Sequence, residues 1–178
     1  MTLTSDITAD VSEDRWDQVP LGDLIDHILA VHHQPLHEEL PRLESMAHKV
    51  LTKGCLRCVH QNKDPERLTE VHALCLELTA ELKQHMMKEE RILFPMIKQG
   101  RGAMAVGPIS VMGHEHDWVV TTLRRLHELT NGYEVPAEAC KRWIVWGHGL
   151  AALEEALHQH IHLENDILFP RALASKTI

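Results

Sequence analysis

Residues His85 to Pro95 read HMMKEERILFP, and 75 positions later His160 to Pro170 read HIHLENDILFP. Six of the eleven positions are identical: His, Glu, Ile, Leu, Phe and Pro. An α-helix turns once in about 3.6 residues, so His85 and Glu89, and likewise His160 and Glu164, project from one face a turn apart. One such pair alone would read as an ordinary surface ion pair. Two copies, each ending in the same apolar Ile-Leu-Phe-Pro and each inside an apolar stripe, point instead to paired metal ligands in a two-fold arrangement.

Outward from the repeat, the spacing of apolar residues predicts four long amphipathic helices. The second should run from about Arg67 to Ile97, with Val71, Leu74, Leu78, Leu82, His85, Glu89 and Leu93 on one face. The fourth, from about Ala137 to Leu168, turns Leu150, Leu153, Leu157, His160, Glu164 and Leu168 inward. Between them Ile109, Met112, His116, Val119 and Leu123 mark a third helix, about Ile109 to Thr130, closed by Asn131, Gly132 and Pro136. The first, from Leu21 to about Val50, carries Ile25, Leu29, Leu36, Leu40 and Leu43, and Pro35 and Pro41 are expected to kink it.

Residues 1–20, rich in Asp, Ser and Thr, read as a flexible arm that Trp16 pins to the body; residues 21–174 form one domain. Thr52 to Glu66 is a connector. The glycines at 100, 102 and 107 lack the Gly-Lys-Ser/Thr that a phosphate cradle needs. The expected architecture is all-α, an antiparallel four-helix bundle whose halves, roughly 21–99 and 108–173, are related by the repeat.

Composition agrees with this. The chain has 178 residues, enough for a single core, and only 4% aromatic residues. A formal charge of -8 and the absence of a Lys/Arg stripe argue against nucleic acid or an anionic membrane as partner. No apolar run approaches the roughly 18 residues of a membrane span, and the polar, acidic N-terminus is unlike a secretory signal. Four cysteines do not make a disulfide framework in a chain of this size, so a cytoplasmic setting is expected. Cys75 and Cys140 read as ordinary helix residues, and Cys55 and Cys58, with His60 nearby, as connector residues.

Fifteen histidines are the compositional anomaly, and their positions sort them. By the internal symmetry His116 needs a counterpart on the first helix, which offers His27, His32, His33 and His37. His33 lies in the apolar stripe, His27 and His37 lie off it, and His32 is a rival that periodicity alone does not exclude. The inward candidates are then His33, His85, Glu89, His116, His160 and Glu164. Burying them without a partner would cost roughly 1–3 kcal/mol for each unsatisfied polar group, and a metal pair removes that cost. Imidazole with carboxylate suits iron, zinc or manganese, and two glutamates with a bridging oxide or hydroxide would nearly balance two divalent ions. Ferritin-like di-iron bundles need two Glu-x-x-His motifs, and this chain has only Glu155 to His158.

The stretches HMMKEERILFPMIKQG, GPISVMGHEHD and HIHLENDILFPRALA, with PLGDLIDHI ahead of them, resemble the C-terminal domain of the repair of iron centres family, within the haemerythrin-like superfamily. The resemblance covers about residues 16–174. It implies a haemerythrin-like bundle with a non-haem centre of two iron ions and a bridging oxide or hydroxide, serving the repair of iron-sulfur clusters damaged by nitric oxide or oxidants. Carried over by position, the family's ligand histidines fall on His33, His85, His116 and His160, its bridging glutamates on Glu89 and Glu164, and the choice settles His33 over His32. Glu115 matches a further carboxylate of the family and is expected on an access or proton path. Family members usually begin with a small cysteine-bearing domain, whereas this sequence starts almost directly at the bundle. The extra His-x4-Asp motif of the five-histidine oxygen carriers is missing, which counts against simple oxygen carriage. The expected partners are damaged iron-sulfur proteins, with nitric oxide or dioxygen as small ligands; iron donation leads, and nitric oxide reduction to nitrous oxide and oxygen or redox sensing are the alternatives.

Overall fold

Pro20 has extended backbone, and its carbonyl accepts the first helical N–H groups, from Asp23 at 3.0 Å and Leu24 at 3.2 Å. From there the computed structural model describes residues 16–51, 65–135 and 141–175. Four long helices result: α1 over residues 21–51, α2 over 65–98, α3 over 106–129 and α4 over 141–174. The described residues contain no strand. α1 packs on α2 and α4, and α3 closes the ring against the same two, which makes an antiparallel four-helix bundle.

Three of the four helices change pitch once. A π-helical segment occupies Leu29–His33 in α1, Glu89–Leu93 in α2 and Leu163–Leu168 in α4. Each is followed, after one residue, by a proline: Pro35, Pro95 and Pro170. Proline lacks an N–H and its ring presses on the carbonyl four residues back, so a wider turn just before it lets the helix continue. This corrects two sequence expectations. Neither Pro35 nor Pro41 interrupts α1, which runs through both, and α4 passes Pro170 to end at Ala174 instead of Leu168.

The apolar side chains form two clusters instead of one. The larger spans the body of the bundle, with Leu40, Leu82, Leu123, Trp146 and Leu157 among its enclosed members. The smaller fills one end, with Leu24, Ile28, Phe94, Ile109, Leu168 and Phe169. Along every helix the break between them falls at a candidate site residue: His33 between Ile28 and Leu36, Glu89 between Met86 and Leu93, His116 between Met112 and Val119, His160 between Leu157 and Leu163. A buried polar layer thus crosses the bundle between two apolar ones.

The ends are tied by backbone acceptors. Arg171 on α4 donates to Val19 O at 2.6 Å and to Trp16 O, and the Trp16 ring lies 4.3 Å from that of His27. The turn after α3 places Asn131, Gly132 and Tyr133 at positive φ, with Gly132 N–H donating to His127 O at 2.8 Å. In the loop before α3 a short 3-10 turn, Gly102–Met104, rests on the last turn of α4. A Cβ on Gly102 would stand 2.6 Å from Ala172 O, so glycine is required there by close packing. Residues 1–15, 52–64, 136–140 and 176–178 lie outside the described residues, and with them most of the predicted arm, the Cys55/Cys58/His60 connector and Cys140. Cys75 is buried in the larger cluster, and burial pushes its thiol up to about 12.

Candidate metal centre

Each of the six inward candidates is delivered by the apolar stripe of its own helix. His33 comes from α1, His85 and Glu89 from α2, His116 from α3, His160 and Glu164 from α4. All are at most 2% exposed, and the two carboxylates are fully enclosed. Their ligand atoms form two overlapping groups. His33, Glu89, His160 and Glu164 come within 4.8 Å of one another, and so do His85, Glu89, His116 and Glu164. Each group therefore has its own two imidazoles, and both carboxylates belong to both groups.

The distances show how tightly the layer is drawn. His33 Nε2 and His160 Nε2 are 3.2 Å apart, and His116 Nε2 and His85 Nε2 3.1 Å. Glu89 Oε2 lies 3.2 Å from His85 Nε2 and 3.5 Å from His33 Nε2. Glu164 Oε1 lies 3.0 Å from His160 Nε2, and its Oε2 lies 3.2 Å from His116 Nε2. All four carboxylate oxygens are buried without a hydrogen bond of proper geometry. An orphaned carboxylate in an apolar surround is costly, so the layer calls for positive charge.

The titration behaviour says the same. Burial draws the His85 imidazole down, but Glu89, with Glu164 and Glu115, outweighs it and raises the group to about 9. His33 is likewise raised against its burial, by Glu89, Glu164 and Glu90. Burial opposes the Glu164 charge, yet His160 and His116 hold its carboxyl well below the usual range. Four imidazole nitrogens converging on two bare carboxylates are a donor set that fits a pair of borderline or hard cations, which would take the place those protons occupy.

Outside the layer, the second ring nitrogens are mostly committed. His33 Nδ1 donates to Glu90 Oε1 at 2.9 Å, and His37 Nε2 shares that oxygen at 2.8 Å. His85 Nδ1 donates to Glu115 Oε2 at 2.9 Å, while Lys88 pairs with the other oxygen. His116 Nδ1 donates to Asn165 Oδ1 at 2.9 Å. An acceptor at Nδ1 fixes the proton there and turns the Nε2 lone pair inward, the usual support of a metal-binding histidine. Two phenylalanines close the end of the layer: Phe94 lies 5.5 Å from the His33 ring, and Phe169 stacks on His116 at 6.0 Å with planes 4° apart.

The repeat assigns these parts. In each half its His and Glu enter the layer, the residue after Glu supports the histidine of the preceding helix, and its Phe covers that same histidine. Glu115, predicted on an access or proton path, is partly exposed and bonds a candidate ligand directly. Glu90, Asn165, Lys88 and His37 were not singled out from the sequence. The signal for the first two was there, because both follow the repeated glutamate and both are polar. His32, the rival to His33, is also buried, but its ring stacks on His160, centroids 5.6 Å apart, and its nitrogens join neither group. Burial, with His160 and His27, lowers its pKa to about 4, so it stays uncharged. Glu155 bonds Gln159 on the surface, at 2.9 Å, and takes no part.

Comparison with known proteins agrees in extent and kind. Residues 24–172 match the model of the Hemerythrin HHE cation binding domain. The chain is 45% identical over 166 residues to the iron-sulfur cluster repair protein YtfE of Escherichia coli O81 (strain ED1a), covering 92% of this chain and 71% of that protein. The figures are the same for the proteins of that name from Escherichia coli O1:K1 / APEC and Escherichia fergusonii. A buried layer of histidines and glutamates crossing a four-helix bundle, matched along nearly its whole length, places this chain in the haemerythrin HHE domain family, among the repair of iron centres proteins.

Proposed function

We propose that the protein holds two iron ions and repairs iron-sulfur clusters damaged by nitrosative or oxidative stress, by donating iron to them. His33 and His160 would hold one ion and His85 and His116 the other, with Glu89 and Glu164 shared between them and an oxide or hydroxide completing the charge balance. The observation that carries the reading is the sharing of both carboxylates by two groups that otherwise use separate histidines. The repair role is supported by the name borne by relatives 45% identical to this chain. Bound iron would supply one-electron chemistry and a store of transferable metal.

The protein's own groups do the rest. Glu90 and Glu115 hold His33 and His85 in the Nδ1–H form and connect each to a further side chain nearer the surface, His37 and Lys88. Metal uptake at Nε2 leaves the Nδ1 protons on these hydrogen bonds, so each ring stays fixed as a neutral ligand with its lone pair turned inward. The clients are damaged iron-sulfur proteins in the cytoplasm, and nitric oxide or dioxygen the small ligands. Among the described residues no helix is long and apolar enough to cross a membrane.

The test is elemental analysis after anaerobic purification without added metal, followed by incubation with a nitric-oxide-damaged aconitase-type enzyme. The expected result is two irons per chain, one for each group, and recovery of the client beyond that given by free iron. Zinc alone, or no stoichiometric metal, overturns the centre; no recovery beyond free iron overturns donation. A second reading, reduction of two nitric oxide molecules with two electrons and two protons to nitrous oxide and water, is favoured by the partly exposed Glu115, which joins His85 to Lys88 beside the layer. Headspace nitrous oxide from the same reduced, loaded protein would establish it, and none above buffer would dismiss it.

A further inference from the structure

The two halves of the bundle support their histidines alike in one respect and unlike in another. Glu90 and Asn165, each following a repeated glutamate, hold Nδ1 of His33 and His116, both at 2.9 Å. The histidines of α2 and α4 look instead to the residue that precedes the histidine of α3 or α1. On α3 that residue is Glu115, which accepts from His85 Nδ1 at 2.9 Å. On α1 the equivalent position is His32, whose ring lies against His160 with planes 21° apart and accepts nothing from it. His160 Nδ1 is buried with no hydrogen-bond partner among the described residues.

We infer that the two metal positions are unequal, and that the ion carried by His33 and His160 is the one handed on. The inference rests on the iron-donation reading and adds which half of the centre gives up its cargo. A hydrogen-bond acceptor behind a ligating imidazole fixes its tautomer and ring angle and raises its basicity, and loss of one such partner typically costs about 10–100-fold in metal affinity. At the His85/His116 position both rings are anchored; at the His33/His160 position only His33 is. Glu89 and Glu164 belong to both groups, so the better-held ion keeps both carboxylates in place after the other departs.

The experiment follows iron release from the intact, anaerobically loaded protein into an excess of a coloured ferrous chelator of the triazine class. Two phases of one iron each are expected, with rates about tenfold or more apart. Glu90→Leu should quicken the fast phase alone, and Asn165→Leu the slow phase alone, with Glu115→Leu as a second variant for the slow phase should Asn165→Leu not fold. His32→Gln, which offers His160 an acceptor, should slow the fast phase toward the slow one. A single phase, or variants that act on the opposite phases, overturns the inference. Repair of a client accompanied by a single release phase would leave donation standing without the inequality. Two correctly assigned phases without client repair would do the reverse.

Discussion

Glu89 and Glu164 are carboxylates with no water contact and no hydrogen-bond donor of good geometry. In the metal-free chain they face the raised imidazoles of the layer, and removing one partner of a buried ion pair destabilises by about 3–5 kcal/mol when the other charge is left uncompensated. Glu89→Leu and Glu164→Leu should therefore leave the far-ultraviolet circular dichroism of the metal-free protein unchanged but lower its Tm. Both should abolish the absorption of a coupled metal pair, and a normal paired-metal spectrum in both variants would refute the shared role. Five of the six residues of the layer were legible because each occupies a stripe that is otherwise apolar, whereas His33 was separated from His32 only by the family resemblance. Residues that act from the rim were not. Lys88 looks in the sequence like any solvated helix charge, because its task depends on which neighbouring helix faces it.

The four helices were legible from their 3.6-residue period, but the changes of pitch within them were not. A π-helical segment shifts the stripe by one residue without altering its composition, so periodicity records it only as blur. The prolines were the available clue, and read singly they suggest kinks or stops; read together, at one fixed distance after each segment, they mark places where the helix widens and goes on. Where elements meet end-on, the decisive contact was hidden as well. Gly102 reads as a loop glycine, yet its neighbour is the carbonyl of Ala172, which cannot swing aside as a side-chain tip would. Gly102→Ala should cost about 1–3 kcal/mol by overpacking, seen as a lowered Tm. Gly107→Ala, which meets nothing within 4 Å, is the control and should cost nothing. Equal Tm values for the two variants would show that the contact is not limiting.

Across the whole molecule, apolar clusters on both sides of the polar layer mean that folding does not depend on metal. Removing it should leave the helix content unchanged but lower the Tm, because a ligand at a hundred times its Kd stabilises the native state by about 2.7 kcal/mol, or about 5–10 °C for a chain of this size. An unchanged Tm after complete removal would mean that the layer has no preference for bound metal. The repeat has a consequence of another kind. Each group draws one imidazole from the first half of the chain and one from the second: His33 with His160, and His85 with His116. The glutamates divide the same way. Neither half could complete even one site alone, while two copies of either half, facing each other across a two-fold axis, would supply four imidazoles and two carboxylates in the same disposition. The single chain is thus equivalent to a symmetric dimer whose subunits have been joined, and joining them freed each copy to diverge. Glu115 on one side and His32 on the other are where that freedom was used beside the metal layer, an inequality no pair of identical subunits could hold.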